Sequence, residues 1–332
     1  MEQIIDQQES FTHLPMLLTP VEQQTISHNR AFIEANTVEL PFREVQKEHI
    51  IPVFVRDNEP LISHAEFVDA TTEIARDIYH GEHILKPSLR LSHPIKGRIP
   101  EAKDKPAQML LDHEKTIYYE RMMFVIEIPS IQEDVDGNTL SLTIGGVKAY
   151  NLDNLYSRAK SDQHFKVFIG FKNRVCTNLC VSTDGFLGEL RVKTLEQLKT
   201  SIKMLLLGYN QENQLEVMRQ FVQHTISEHQ FATLIGRCRM YQHMPAEYKK
   251  DIPALLFGDQ QINTVVKDFY RDNSFSRDSN GNINLWKLYN LFTGANKSSY
   301  IDNFLERGIN AYDLVTDLNY AVKQRSSSWY LN

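Results

Sequence analysis

The stretch Phe168 to Phe186, FIGFKNRVCTNLCVSTDGF, sets Lys172, Asn173, Arg174, Thr177, Asn178 and Asp184 among apolar neighbours. Neither a plain core strand nor a plain surface loop requires that mixture. Cations hold phosphates and side-chain amides reach base edges, so the chemistry it fits is contact with an anion or a nucleic acid. Further cations come in pairs, Lys96 with Arg98 in a proline-rich stretch and Arg191 with Lys193 in an alternating one. Tyr118, Tyr119, Tyr150, Tyr156, Phe168 and Phe171 supply aromatic faces in the same region. Charge beside a stacking platform is what single-stranded nucleic acid needs. The candidate set is therefore Lys96, Arg98, Lys172, Asn173, Arg174, Asn178, Arg191 and Lys193, with single-stranded nucleic acid as the expected partner. The plainer alternative is a set of solvated faces around an aromatic core. Asn173 tolerates a positive φ, so a tight turn with Lys172 and Arg174 on its flanks is expected.

Other chemistries find less footing. Cys176, Cys180 and Cys238 are odd in number and lack a second ligand pair, so buried inert thiols are expected and no metal. The 12 His include no HExxH, and His224 and His229, five apart, fall on different faces of a helix. Asp278-Ser279-Asn280-Gly281-Asn282 resembles a calcium loop, but counted from Asp278 the Gly is misplaced and Tyr289 stands where a bidentate Glu belongs. No phosphate-cradling glycine motif occurs, and no catalytic residue or cofactor is nominated. Asp153, Asp184 and His93 could meet only through the fold. Trp286, Trp329 and Tyr330 offer a second reading, a surface for a host or element protein.

At 332 residues and a net charge of -6, the chain as a whole does not attract nucleic acid or an anionic membrane, so any polyanion site must be local. No apolar run approaches the roughly 20 residues that span a bilayer. The acidic opening Glu2, Asp6 and Glu9 is unlike a signal peptide. A cytoplasmic protein is the expectation, non-enzymatic on the first two readings, with an enzyme of unrecognised chemistry as the third.

The elements that would position these residues point to an α+β fold. A polar, Gln-rich arm is expected over 1–45, an α+β sheet region over 46–194 and a helical region over 195–332, packed together. IIPVFV (50–55) reads as a strand closed by a turn at 57–60. Ser63 with Glu66, Thr194 with Gln197 and Ser227 with Gln230 are capping boxes that open helices. Four prolines and a basic excess make 86–106 an extended basic loop. MMFVIEI, TLSLTIGGVKAY, KVFIGF, VCTNLCV and GELRVKT read as an antiparallel meander of about five strands, with 175–181 open to a helical reading. Gly145-Gly146 in mid-strand predicts a bulge or a close backbone approach. Helices follow over 261–270, 285–292 and 300–323.

The strings LSHPIKGRIPEAKDKPA, EKTIYYERMMFVIEIP, LTIGGVKAYNLDNLY, FIGFKNRVCTNLC, LIGRCRMYQHMP and ALLFGDQQ, with INLWKLYNLFTGANKSSYIDNFLERGINAYD, resemble a bacterial domain-of-unknown-function family from about Ile50 to Asn332. Arg174 to Asn178, Ile62-Ser63-His64 and Leu288-Tyr289-Asn290 also resemble a broader phage- and plasmid-like group. That second resemblance implies carriage on plasmids, prophages and conjugative elements. Neither implies an activity.

Overall fold

Leu140, Leu142 and Ile144 alternate with Ser141, Thr143 and Gly145, which dictates a strand with two unlike faces. The computed structural model builds its sheet around that strand and describes residues 31–48, 62–102, 104–155 and 162–332. The expected strand 50–55, its turn 57–60 and the greater part of the polar arm lie outside the described residues.

The described strands begin with β1 (Val38–Glu39), β2 (Ser88–Leu91), β3 (Pro94–Arg98), β4 (Lys115–Tyr119), β5 (Arg121–Val135) and β6 (Asn138–Ala149). They continue with β7 (Gln163–Asn173), β8 (Leu179–Cys180), β9 (Phe186–Val192), β10 (Thr225–Ile226) and β11 (Ile283–Asn284). The first helices are α1 (Phe42–Glu48), α2 (His64–Ile78), α3 (Tyr150–Leu155), α4 (Leu195–Gly208) and α5 (Gln211–Gln223). After them come α6 (Glu228–His243), α7 (Asp259–Arg271), α8 (Leu285–Asn296) and α9 (Ile301–Gln324).

Among the described residues the main sheet is antiparallel, in the order β1-β2-β5-β6-β7-β8, with β9 also pairing β7. The α+β expectation holds, and the sheet is wider than the expected meander because β1 and β2 extend its edge. One face, with Phe124, Ile126, Leu142, Ile144, Phe165 and Val167, packs under α2, α4 and α5. The other, with Met123, Val125, Val147 and Phe168, is covered by Ile301, Phe304 and Leu305 of α9 and by Phe32 and Ile33. Residues 31–48 are thus packed into the fold rather than peripheral. Residues 31–332 form one compact unit.

The glycines at 145 and 146 make the close approach, and no register shift occurs there. A Cβ on Gly146 would stand 2.5 Å from the Phe67 ring of α2. Phe67 meets Phe124 and Phe165 edge-on at 5.0 and 4.9 Å, and its burial contributes roughly 1.5–3 kcal/mol. The bulge lies elsewhere, between Ile128 and Gln132 around Pro129, where a missing N–H costs no ladder bond. All three expected capping boxes form.

Two expectations need correction. Residues 86–106 are not one extended loop: β2 joins the main sheet, and β3 pairs with β4 as a separate two-stranded ribbon. The prolines sit at element boundaries, Pro94 opening β3 and Pro100 a 3-10 turn, where proline is tolerated. VCTNLCV is neither a full strand nor a helix. Residues 174–178 form a turn, Thr177 has φ +60°, and only Leu179 and Cys180 pair as strand.

Candidate nucleic-acid interface

Strand register decides which cations can act together. Arg121 lies opposite Ala149, Lys148 opposite Phe165 and Gln163 opposite Val192, so these residues share one end of the sheet. The ribbon β3–β4 leaves from the same end, its base closed by Ser92 N donating to Arg121 O (2.9 Å) and Arg121 N donating to Ser92 Oγ (3.1 Å). Lys96 and Arg98 therefore lie on the ribbon that leaves this end, and Arg191 in β9 and Lys193 just after it stand at the same end of the sheet. Lys172 and Arg174 sit at the opposite end of β7, roughly 30 Å away at about 3.3 Å per residue. The six cations do not form the single surface expected of them.

At the far end the expected projecting turn is replaced by a buried knot. Lys172 Nζ binds Glu127 Oε2 at 2.8 Å, and Ser141 Oγ donates to Glu127 Oε1 at 2.7 Å. Burial alone would raise the Glu127 carboxyl, but the charge and hydrogen bond of Lys172 hold it below its ordinary range. Asn173 is fully buried and ends β7, its N–H donating to Asn178 O at 2.9 Å while Thr177 N donates to Asn173 O at 2.8 Å. The side-chain amide of Asn173 donates to Asn138 Oδ1 (3.0 Å) and Asn290 Oδ1 (3.4 Å). Asn178 Nδ2 donates to the Asn290 carbonyl at 3.0 Å, and Lys297 Nζ donates to the Cys176 carbonyl and to Thr177 Oγ1. Asn173 and Asn178 thus fasten the sheet to α8 and are not exposed to a base or a phosphate. Arg174 is half-buried, with Nη1 3.5 Å from Gln132 Oε1.

The ribbon end is more open. In β3, Lys96 stands opposite Ile117 and Arg98 opposite Lys115. Across the sheet, Arg191, Lys193, Gln197, Thr200 and Ser201 line a shallow groove of about 550 Å³ between β9 and α4. Three carboxylates temper its charge: Glu196 in its lining, Glu189 at 3.4 Å from Arg191 and Asp162 at 3.6 Å from Lys193. Two other cations at this end are committed to α9, with Lys166 on Glu306 (2.5 Å) and Arg121 on Asp302 (2.8 Å).

Lys148 was not singled out from the sequence, yet it is fully buried beside the ribbon base. Its Nζ binds Asp153 Oδ2 of α3 at 2.6 Å and lies 4.2 Å over the Phe165 ring, while Asp153 Oδ1 accepts from His164 N at 2.8 Å. Strand parity was the available signal, since Lys148 shares its face with Leu142 and Ile144. Burial pushes its ammonium down to about 8, against the pull of Asp153. Burial likewise lowers His164, opposed by Glu189. The unfolded chain then binds more protons between about pH 8 and the ordinary lysine range near 10.5, so this group adds stability as pH rises through that window. Buried Tyr209, Tyr312 and Tyr330 resist ionisation and act in the opposite sense. The expected result is read as a difference: from pH 7 to pH 10, wild type gains up to a few kcal/mol relative to Lys148→Met in urea denaturation.

The second reading loses its patch. Trp286 and Tyr330 are buried, the latter donating from its hydroxyl to Pro253 O at 2.7 Å, and half-buried Trp329 lies under Arg237. Four of the six aromatics leave the stacking platform, because Tyr150, Phe168 and Phe171 are core residues and Tyr119 packs against the core. Tyr156 lies outside the described residues. Asp153 and Asp184 have separate partners, Lys148 and Ser182. Burial raises the Cys176 thiol to about 11, Cys238 to about 12 and Cys180 beyond both, as inert thiols require. No described helix is long and apolar enough to cross a membrane.

Residues 16–331 match the family described as "Domain of unknown function, B. Theta Gene description (DUF3871)". No curated protein and no solved structure matches the chain.

Proposed function

Because the chain belongs to this domain-of-unknown-function family, which carries no activity with it, we propose from the geometry a non-enzymatic, nucleic-acid-contacting accessory protein of a plasmid-, phage- or conjugation-type element. The observation that supports it is that Lys96 and Arg98 on the ribbon and Arg191 and Lys193 by β9 belong to the same end of the sheet. Segment 86–119 carries seven Lys and Arg against four Asp and Glu in a chain of net charge -6. A local excess of cations on an acidic protein favours a polyanion at that spot. Lys105 and Lys115 are engaged by Glu114 and Asp112 within the ribbon's own connection, so the contact rests on Lys96 and Arg98. A two-stranded ribbon also has the width to enter a nucleic-acid groove. With Tyr119, Tyr150, Phe168 and Phe171 committed to the core, a single strand would be held chiefly through its phosphates.

Fluorescence anisotropy with labelled single- and double-stranded oligonucleotides tests this. Wild type is expected to bind at low ionic strength with an affinity that falls steeply with salt. Lys96→Glu with Arg98→Glu should weaken binding at least about tenfold and reduce the salt slope by about two. No binding of either oligonucleotide at low salt overturns the proposal, as does a double variant that binds like wild type.

A further inference from the structure

The segment Ser276–Lys287, SRDSNGNINLWK, fails as a calcium loop when counted from Asp278. Counted from Ser276 the same residues fall into the calcium-loop frame: Asp278 at position three, Asn280 at five, Gly281 at six, Ile283 at eight, Asn284 at nine and Lys287 at twelve. Such loops use oxygen donors at positions one, three, five, seven, nine and twelve, with a glycine at six for the sharp turn and a bidentate Glu at twelve. The backbone agrees with this frame. Gly281 has φ +85°, and Asp278 Oδ1 accepts from both Asn280 N and Asn282 N at 2.8 Å. Gly281 N donates to Asp278 O at 3.1 Å, and Asn284 caps α8 by accepting from Lys287 N at 2.8 Å.

A second helix–turn–helix faces this one. Ile283 pairs antiparallel with Ile226 in the two-residue ladder β10–β11, as loops of a paired unit do. Thr225–Phe231, TISEHQF, repeats the pattern of Asn282–Leu288, NINLWKL. Each has an Ile in the ladder, then a capping residue (Ser227, Asn284), a long polar side chain three further on (Gln230, Lys287) and an apolar residue after that (Phe231, Leu288). Helix α5 packs on α8 and α6 on α7, so the two units pair around the ladder, with Phe231 stacked on Phe269 at 3.8 Å.

We infer that Ser276–Lys287 is a calcium-type loop whose cation is the chain's own: the Lys287 ammonium takes the role of the metal. Where a Glu at position twelve would bring two oxygens to an ion, Lys287 brings a positive charge, and its Nζ lies 3.5 Å from the carbonyl oxygen of Ser276 at position one. Asn284 Nδ2 donates to Asp136 Oδ2 at 3.2 Å, so the lysine-closed loop is also tied to the β5–β6 turn. The helix pair is therefore fixed in one arrangement that calcium does not alter. This inference stands independently of the nucleic-acid proposal.

The test converts the loop. Ser276→Asp with Lys287→Glu places carboxylates at positions one, three and twelve. Calorimetry with calcium chloride should show saturable binding at about millimolar Kd or tighter, with a calcium-dependent rise in Tm. Wild type and Lys287→Gln should show neither. Calcium binding by wild type at this loop overturns the inference, because an ammonium and a metal cannot share the position. A double variant that is folded by circular dichroism yet ignores about 10 mM calcium shows the frame to be wrong. If the double variant is unfolded without calcium, refolding on its addition supports the frame, and failure to refold counts against it.

Discussion

Lys172→Glu is expected to cost about 3–5 kcal/mol of folding stability, enough to abolish much of a typical domain's margin. The substitution sets a second carboxylate beside Glu127, which is 7% exposed and has Ser141 as its other side-chain partner. Removing one member of a buried pair leaves the other charge desolvated and unpaired, which is why the loss exceeds that of an exposed charge, within about half a kcal/mol. Lys172→Met with Glu127→Leu restores most of the loss, since replacing both partners with apolar groups removes the desolvation cost. Urea denaturation of wild type and the two variants checks this, and a Lys172→Glu midpoint equal to wild type would show that the pair is idle. An exposed phosphate contact would give the opposite pattern, intact stability with weakened oligonucleotide binding.

Asn290→Leu should cost about 2–5 kcal/mol although it alters volume little. The Asn290 side-chain oxygen faces the amides of Asn173 and Asn178, both at 3.4 Å, and its own amide donates to Trp286 O at 2.9 Å. A leucine supplies no acceptor, so buried donors lose partners at about 1–3 kcal/mol each. Asn290→Asp keeps the acceptor but buries a charge, and should also destabilise. Thermal melts give the ranking, with both variants below wild type. Hydrogen exchange should show the turn at 174–178 opening before the rest of the sheet in Asn290→Leu, because that amide joins the turn to α8.

Much of the fold was legible because its signals are short-range. A capping box needs only residues three apart, and Ser63, Thr194 and Ser227 each begin the helix their spacing implies. The alternation through β6 assigns its faces without reference to any neighbour, and it already carries Lys148 to the apolar side. The mixed stretch around Lys172 to Asn178 was rightly marked as unusual, but its partners are remote: Glu127 is 45 residues from Lys172, and Asn290 is 117 from Asn173. Polar residues among apolar ones signal either exposure to a ligand or satisfaction inside the core. Composition alone is the same in both cases.

Net charge, helix starts and strand alternation belong to the chain as written, because they depend on composition or on neighbours a few residues away. Which end of the sheet a cation occupies belongs to register. Lys172 and Gln163 share one strand yet face different surroundings, and Arg191 joins Gln163 only because β9 folds back on β7. The frame of the loop at 276–287 is of the same kind. Its residues were visible from the start, but the count from Asp278 failed, and it is the φ of Gly281 and the pairing of Ile283 with Ile226 that support a count from Ser276. Hydrogen-bonded pairing across a ladder fixes position to a single residue, and no periodicity along one strand can do that.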